Sequence, residues 1–291
     1  MNFDALSGCR YAVIGDPIEH SVSPAMQNAA FTAIGQGAPY GKLRVAAADL
    51  PAFAAWARTH LDGFNITVPH KQNILPLLDE IDPDADRAAS VNTVAVRAGR
   101  LCGYSTDGYG LATALTEAFG FQVSGGRLAF LGCGGAVQAV ADYFAARQTA
   151  EMYFINRTAA KAENLCQRLQ SYHPNVRLAA CGLDEPETIR RFLARVTVLV
   201  QGTSVGLRSG DPSPLPADLL PDGICCYDVI YKNTAFLEQA LHCGLQTADG
   251  RTMLLYQGAA AFERWTGRPA DGTAMRRALE QALAPADANE K

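Results

Sequence analysis

Residues 127–131 form a short apolar run that ends directly in Gly132-Cys133-Gly134-Gly135-Ala136, and a helical pattern then continues to Arg147. A strand that turns at once into a helix needs residues without a Cβ wherever the backbone is forced to positive φ or must come close to something else. This arrangement therefore opens a parallel strand–helix–strand unit. Further strand-like runs follow at 151–156, 177–180, 196–201 and 223–229, with helical stretches between most of them. Residues 105–249 accordingly read as one doubly wound α/β domain.

The same glycines let backbone N–H groups at a helix N-terminus approach a pyrophosphate, where the helix dipole favours negative charge. Gly132, Gly134, Gly135 and Ala136 are thus candidate dinucleotide contacts. The second strand of the unit ends in Asn156-Arg157-Thr158. In NAD sites an acid at this point binds the ribose hydroxyls, and none is present here. Arg157 instead offers a planar cation for a phosphate on that ribose, which favours NADP, although the bare pattern also fits a surface charge beside a tight turn. Thr158 is placed to cap the next helix, and Lys161, one turn on, either adds to the phosphate clamp or is a solvated helix residue.

Before this domain the chain alternates in the same way. Strand-like runs at 10–15, 40–45 and 63–68 are interleaved with a helix opening at Ser23-Pro24, a helix over 50–59 and a helix after His70. The alternation predicts a mainly parallel sheet, with Ser23 as an N-cap. After Gly250 the pattern is helical, broken at 267–269 and resumed to about residue 283, and the tail 284–291 reads as frayed. Two helices cannot enclose a core alone, so they are expected to pack back on the first domain. The expected organisation is residues 1–104 as a first α/β part, 105–249 as the doubly wound domain, and 250–291 as helices completing the first.

Charge and composition exclude several functions. With 25 Lys and Arg against 29 Asp and Glu, a net charge of −4, no stretch concentrates the cations a nucleic-acid surface requires. No run reaches the roughly 18 apolar residues of a membrane helix, and the start lacks a secretory pattern, so a cytoplasmic location is expected. The eight cysteines form no Cys-x-x-Cys pair and the five histidines no metal spacing, so no metal site is expected. His20 and His70, beside the motifs below, read as hydrogen-bonded loop histidines.

Several ordered motifs run along the chain: Val13-Ile14-Gly15-Asp16-Pro17 leading to Ser21-Val22-Ser23-Pro24, the run Gly63-Phe64-Asn65-Ile66-Thr67-Val68-Pro69-His70-Lys71, Ser90-Val91-Asn92-Thr93, and Thr106-Asp107-Gly108. They continue through Gly132 to Ala136, Asn156-Arg157-Thr158, Thr203-Ser204-Val205-Gly206, Tyr227-Asp228-Val229-Ile230-Tyr231 and Gln257-Gly258. Together, over nearly the whole chain, these motifs resemble the shikimate dehydrogenases and their quinate-using relatives. The resemblance implies an open α/β substrate domain plus a Rossmann-type NADP-binding domain, with Lys71 and Asp107 as the catalytic pair. It further implies that Asn92 and Gln257 bind ring hydroxyls and that Ser21, Ser23, Thr67 and Tyr231 surround a carboxylate.

Each of these residues has a purely structural alternative. Lys71 could be a surface lysine, Asp107 or Ser23 a helix cap, Asn92 a turn former, Tyr231 a packing aromatic and Gln257 a helix-face residue. Elementary chemistry favours the pair, since reducing a ketone needs a proton for the developing alkoxide and an ammonium can both supply it and stabilise the charge.

The implied activity is NADPH-dependent, reversible reduction of 3-dehydroshikimate to shikimate, in chorismate and aromatic amino acid biosynthesis. The alternatives are a quinate-using or related enzyme and, further off, a non-catalytic NADP-sensing module. The expected partners are small molecules, without nucleic acid or membrane, and a homodimer is left open. The chain departs from the family at Ser105 and Gln201, where asparagine is usual, and at Gln138, a position often basic in NADP-using members.

Overall fold

The computed structural model describes residues 3–284, and the tail 285–291 lies outside the described residues. The chain divides into two compact units. Unit 1 comprises the described residues up to Thr106 and from Leu255 onward, and unit 2 is Asp107–Leu254.

Unit 1 runs β1 (Tyr11–Gly15), α1 (Ser23–Ala33), β2 (Tyr40–Arg44), α2 (Leu50–His60), β3 (Gly63–Ile66), α3 (His70–Asn73), β4 (Glu80–Ile81), α4 (Pro83–Arg87), β5 (Thr93–Arg97) and β6 (Arg100–Tyr104). These six strands form one sheet in the order β2-β1-β3-β5-β6-β4. β1 is buried along its whole length and pairs in parallel with β2 and β3, as a strand covered on both faces should.

The sheet is mainly parallel, as the alternation predicts, with one exception that the alternation does not show: β5 runs antiparallel to both β3 and β6. Ala98 (φ 51°) and Gly99 (φ 77°) place two consecutive residues in the left-handed region, closing a tight hairpin between Arg97 and Arg100. Ala-Gly is a weak turn signal beside Asn-Gly, which is why the hairpin is not legible in the chain.

Two local expectations also change. Val22, not Ser23, occupies the N-cap of α1, and no side chain caps that helix end. The helix after His70 is only four residues long and passes into a 3-10 turn, Leu75–Leu77, that contains Pro76.

Unit 2 contains α5 (Asp107–Phe119), β7 (Arg127–Leu131), α6 (Gly135–Ala146), β8 (Glu151–Asn156), α7 (Ala159–Tyr172), β9 (Arg177–Gly182), α8 (Pro186–Leu193), β10 (Val198–Gln201), β11 (Cys225–Asp228), α9 (Ala235–His242) and β12 (Thr247–Ala248). Its six strands, in the order β12-β11-β10-β7-β8-β9, are all parallel. Ala129 and Leu131 of β7 pack with Ile189, Leu193, Phe236 and Ala240 of α8 and α9. Phe130 turns to the opposite face, where it meets Phe144 of α6 edge-on at 6.1 Å. Both faces are covered, which makes the sheet doubly wound. The order reverses between β7 and β10, so the carboxyl ends of those strands open the crevice where such sheets bind ligands.

The division between the units falls inside α10 (Arg251–Thr266), which is followed by α11 (Gly272–Leu283). Within unit 1, Phe262 packs on Phe31 with ring centroids 4.9 Å apart, and Trp265 donates its indole N–H to the Val94 carbonyl at 2.9 Å. Gly63 is needed for this contact, since a Cβ there would stand 2.4 Å from the Trp265 ring. Truncating Phe262 would cost about 3–5 kcal/mol by the usual scale for buried aromatics.

Candidate active site

In unit 1 the loops leaving β1 and β3 are stitched together. The Thr67 N–H donates to Ile14 O at 2.9 Å and the Asp16 N–H to Val68 O at 3.0 Å. A Cβ on Gly15 would come within 2.4 Å of Thr67 Cγ2, so this close approach depends on glycine. Ser21 and Ser23 on the first loop and Thr67 on the second are half-buried, and none of the three hydroxyls has a hydrogen-bond partner among the described residues. Three neutral donors left open beside one another's loops suit a small carboxylate, held less tightly than by an arginine fork. Because Ser23 does not cap α1, its hydroxyl is not spent on the helix.

Lys71 follows on α3 and is half-buried. Its carbonyl accepts the Val91 N–H at 2.9 Å, and its neighbour His70 is fully buried with Nε2 2.6 Å from Val45 O. A carbonyl only accepts, so His70 carries its proton on Nε2. His70 is hydrogen-bonded as expected, but it opens α3 rather than sitting in a loop, and it fixes the backbone that presents Lys71.

Asn92, 2% exposed, is the hub of a buried polar network. Its Oδ1 accepts from the Thr106 N–H at 2.9 Å and the Thr93 hydroxyl at 3.0 Å, while its Nδ2 donates to Thr106 Oγ1 at 2.9 Å and Gln257 Oε1 at 3.3 Å. Asn65 extends the network, donating to Thr93 Oγ1 at 3.0 Å and accepting from the Tyr40 hydroxyl at 2.7 Å. Gln27, fully buried on α1, donates to Gly258 O at 2.9 Å and so anchors α10 beside Gln257. Asn92 and Gln257 are thereby brought together. Asn65 lies within the Gly63–Lys71 motif, but nothing in the sequence assigns it a hydrogen-bonding role, and Gln27 reads as an ordinary helix residue.

Asp107 follows Thr106 directly in the chain, opens α5 as the first residue of unit 2, and is 5% exposed. Tyr231, on the loop after β11, is 36% exposed.

In unit 2 the glycine turn has the geometry the pattern requires. Gly132 sits at φ +95°, and a Cβ there would lie 2.6 Å from Thr203 Cγ2. Gly134 and Gly135 have no heavy atom within 4 Å of the Cβ position, which leaves the helix N-terminus open to a ligand. Asn156 staples the turn to the next loop: its Oδ1 accepts the Cys133 N–H at 3.1 Å and its Nδ2 donates to Thr158 O at 2.9 Å. Gln138, a departure from the family, donates to Cys133 O at 3.1 Å and buttresses the turn from within.

Arg157 and Thr158, just after β8, and Lys161, in the first turn of α7, are exposed, and Ala136 is half-buried at the start of α6. Thr158 occupies the N-cap of α7 but makes no side-chain capping bond, which corrects that part of the expectation. Burial pushes the Cys133 thiol up to about 12, which makes it a poor nucleophile. No cluster of His, Cys, Asp and Glu suited to a metal ion occurs among the described residues, and none of their helices is long and apolar enough to cross a membrane.

The family model of the shikimate dehydrogenase substrate binding domain matches residues 13–94, and that of the shikimate 5'-dehydrogenase C-terminal domain matches residues 250–280. A shikimate dehydrogenase (NADP(+)) from Methanopyrus kandleri is 38% identical over 276 residues, covering 93% of this chain and 94% of its own. The chain belongs to the shikimate dehydrogenase family.

Solved structures of the shikimate dehydrogenase family agree in fold. Shikimate 5-dehydrogenase from Thermus thermophilus, crystallised in complex with NADP(H) and shikimate, matches with a TM-score of 0.83 and 35% identity over 94% of this chain and 100% of its own. The quinate dehydrogenase from Corynebacterium glutamicum in complex with NAD matches with a TM-score of 0.82 and 25% identity, covering 94% of this chain and 99% of its own.

Proposed function

We propose that this member of the shikimate dehydrogenase family is an NADP-dependent shikimate dehydrogenase that reversibly reduces 3-dehydroshikimate to shikimate. Unit 1 holds the ring acid and unit 2 the cofactor. The observation that carries this reading is the pairing, in one chain, of the prepared Asn92–Gln257 cluster beside three open hydroxyls with a glycine turn whose strand-end partner is Arg157 rather than an acid.

NADPH, when bound, supplies the electron pair and hydrogen that the carbonyl carbon gains. Gly134, Gly135 and Ala136 present backbone N–H groups to its pyrophosphate, Gly132 permits the turn, Asn156 and Thr158 frame the adenosine end, and Arg157 with Lys161 meets the ribose phosphate. The Lys71 ammonium gives a proton to the ketone oxygen and stabilises the charge that builds there, and Asp107 is the second member of the catalytic pair, accepting from a neighbouring ring hydroxyl. Asn92 and Gln257 hold the ring hydroxyls, while Ser21, Ser23, Thr67 and Tyr231 surround the carboxylate.

Quinate as substrate is the second reading, supported by the likeness to the Corynebacterium glutamicum enzyme; the missing acid at the end of β8 argues against the NAD that accompanies quinate dehydrogenase in that structure. We place the enzyme in the cytoplasm, and sedimentation of the purified protein decides whether it forms a homodimer. The activity is tested by incubating the protein with NADPH and 3-dehydroshikimate. Equal amounts of NADPH consumed and shikimate formed are expected, and no consumption with folded protein that binds NADPH would overturn the assignment.

A further inference from the structure

Asp228, at the end of β11, is fully buried and has no cation in ion-pair contact among the described residues. Its carboxylate instead accepts the Ile230 N–H at 2.9 Å, the Thr234 hydroxyl at 2.7 Å and Gln201 Nε2 at 3.5 Å. Burial, with a smaller contribution from nearby Asp249, pushes its pKa up to about 6, against the downward pull of those three donors. A buried carboxylate without a counter-charge is costly, and its neighbours identify what it holds.

Gln201, at the end of the adjacent strand β10, is also fully buried; its Nε2 donates to Val205 O at 2.8 Å and its Oε1 accepts the Thr203 N–H. The two side chains thus fix the starts of two loops, 202–206 after β10 and 229–234 after β11. The loops meet each other and the glycine turn. Gly206, at φ +106°, would bring a Cβ within 3.0 Å of Thr234 Cγ2, and Gly132 would bring one within 2.6 Å of Thr203 Cγ2.

The strand order gives these loops their place on a dinucleotide. β7, β8 and β9 form one half of the sheet, with the glycine turn and Arg157 on the adenosine side, and the reversal between β7 and β10 leaves the carboxyl ends of β10 and β11 to the other nucleotide. We propose that Asp228 is a positioning residue which, through Gln201, Ile230 and Thr234, sets the two loops that receive the nicotinamide half of the cofactor. This builds on NADP binding to unit 2, and it gives the Gln201 departure a function, since the longer amide reaches both Asp228 and the 203–205 backbone.

The test separates the two halves of the cofactor. Titration calorimetry on the full-length protein compares NADP⁺ with adenosine 2′,5′-bisphosphate, which carries the ribose phosphate but no nicotinamide. Asp228→Asn keeps the shape and removes the charge, and it should weaken NADP⁺ binding by about tenfold, the size of one charge-assisted hydrogen bond, with the bisphosphate unchanged within about twofold. Thr234→Val should act in the same direction and Thr234→Ser should restore affinity, so this pair decides the matter if Asp228→Asn fails to fold. Equal losses for both ligands, or none for NADP⁺, would overturn the positioning role. A wild-type protein that binds neither ligand would instead overturn the cofactor assignment.

Discussion

The two units prepare for their ligands in opposite ways. In unit 1 the residues proposed to read the ring, Asn92 and Gln257, already hold each other through a network that includes Thr93, Thr106, Asn65 and Tyr40. In unit 2 the proposed cofactor elements are backbone and exposed cations: the open Gly134 and Gly135, with Arg157 and Lys161 at the surface. A polyol ring offers hydroxyls with fixed directions, and binding it well requires donors and acceptors fixed beforehand. A pyrophosphate and a ribose phosphate offer charge, which a helix N-terminus and a guanidinium meet with less exact placement.

This contrast is open to experiment, beginning with Lys71. Lys71→Met removes the ammonium and keeps the apolar stem, so turnover should fall by about 10² to 10⁴ while NADPH binding survives. A folded Lys71→Met protein with near wild-type turnover would remove the lysine from the chemistry. Asp107→Asn should also slow turnover, and the double variant should lose much less than the product of the two single effects if the pair acts as a unit.

Arg157→Ala tests the other unit. It should weaken NADP⁺ by about 1.5–3 kcal/mol in equilibrium binding, leaving NAD⁺ and the Michaelis constant for shikimate nearly untouched. Equal losses for NADP⁺ and NAD⁺ would show that Arg157 does not meet the extra phosphate.

Ser21→Ala should raise the Michaelis constant for shikimate by a factor matching about 1.5 kcal/mol, the low end for a hydrogen bond to a charged group, with cofactor affinity unchanged, because a contact to the carboxylate is made in ground and transition states alike. Unchanged kinetics would return Ser21 to a role in the loop alone.

The smallest effect is expected away from both sites, at the amino end of β8. There Glu151 accepts two hydrogen bonds from Arg195, at 2.7 and 2.9 Å, and the pair draws its pKa from 4.5 down to about 2. A lowered carboxylate stabilises the fold above its unfolded pKa and loses that contribution as pH falls toward the folded value. Glu151→Gln should therefore unfold more readily than wild type at neutral pH, with the gap closing between about pH 5 and pH 2, while the kinetic constants at neutral pH stay put. A gap that persists in acid would mean the glutamate acts through packing rather than charge.

The same contrast governs what the chain reveals before it is folded. The glycine turn and the absence of an acid after β8 are readable locally, because positive φ at Gly132 and a strand end at Asn156 are demands of the backbone itself. The Asn92–Gln257 contact spans 165 positions, and no local periodicity encodes it; only the resemblance pointed to those residues. Asp228 and Gln201 belong to the same class, each an ordinary strand-end residue until β10 and β11 are laid side by side. The β5–β6 hairpin escaped because its turn residues are weak signals. Ser23-Pro24 located the start of α1 to within one residue but misplaced its cap, as helix boundaries commonly shift.

One steady-state experiment bears on all of this at once: kcat/KM for shikimate and for quinate oxidation, each with NADP⁺ and with NAD⁺, on the wild-type protein. Shikimate with NADP⁺ should be the best of the four combinations, by at least about tenfold over either single change of substrate or cofactor, the discrimination expected when a charged or hydrogen-bonded contact is lost. Quinate with NAD⁺ matching or exceeding it would contradict both the ring recognition assigned to unit 1 and the phosphate recognition assigned to Arg157.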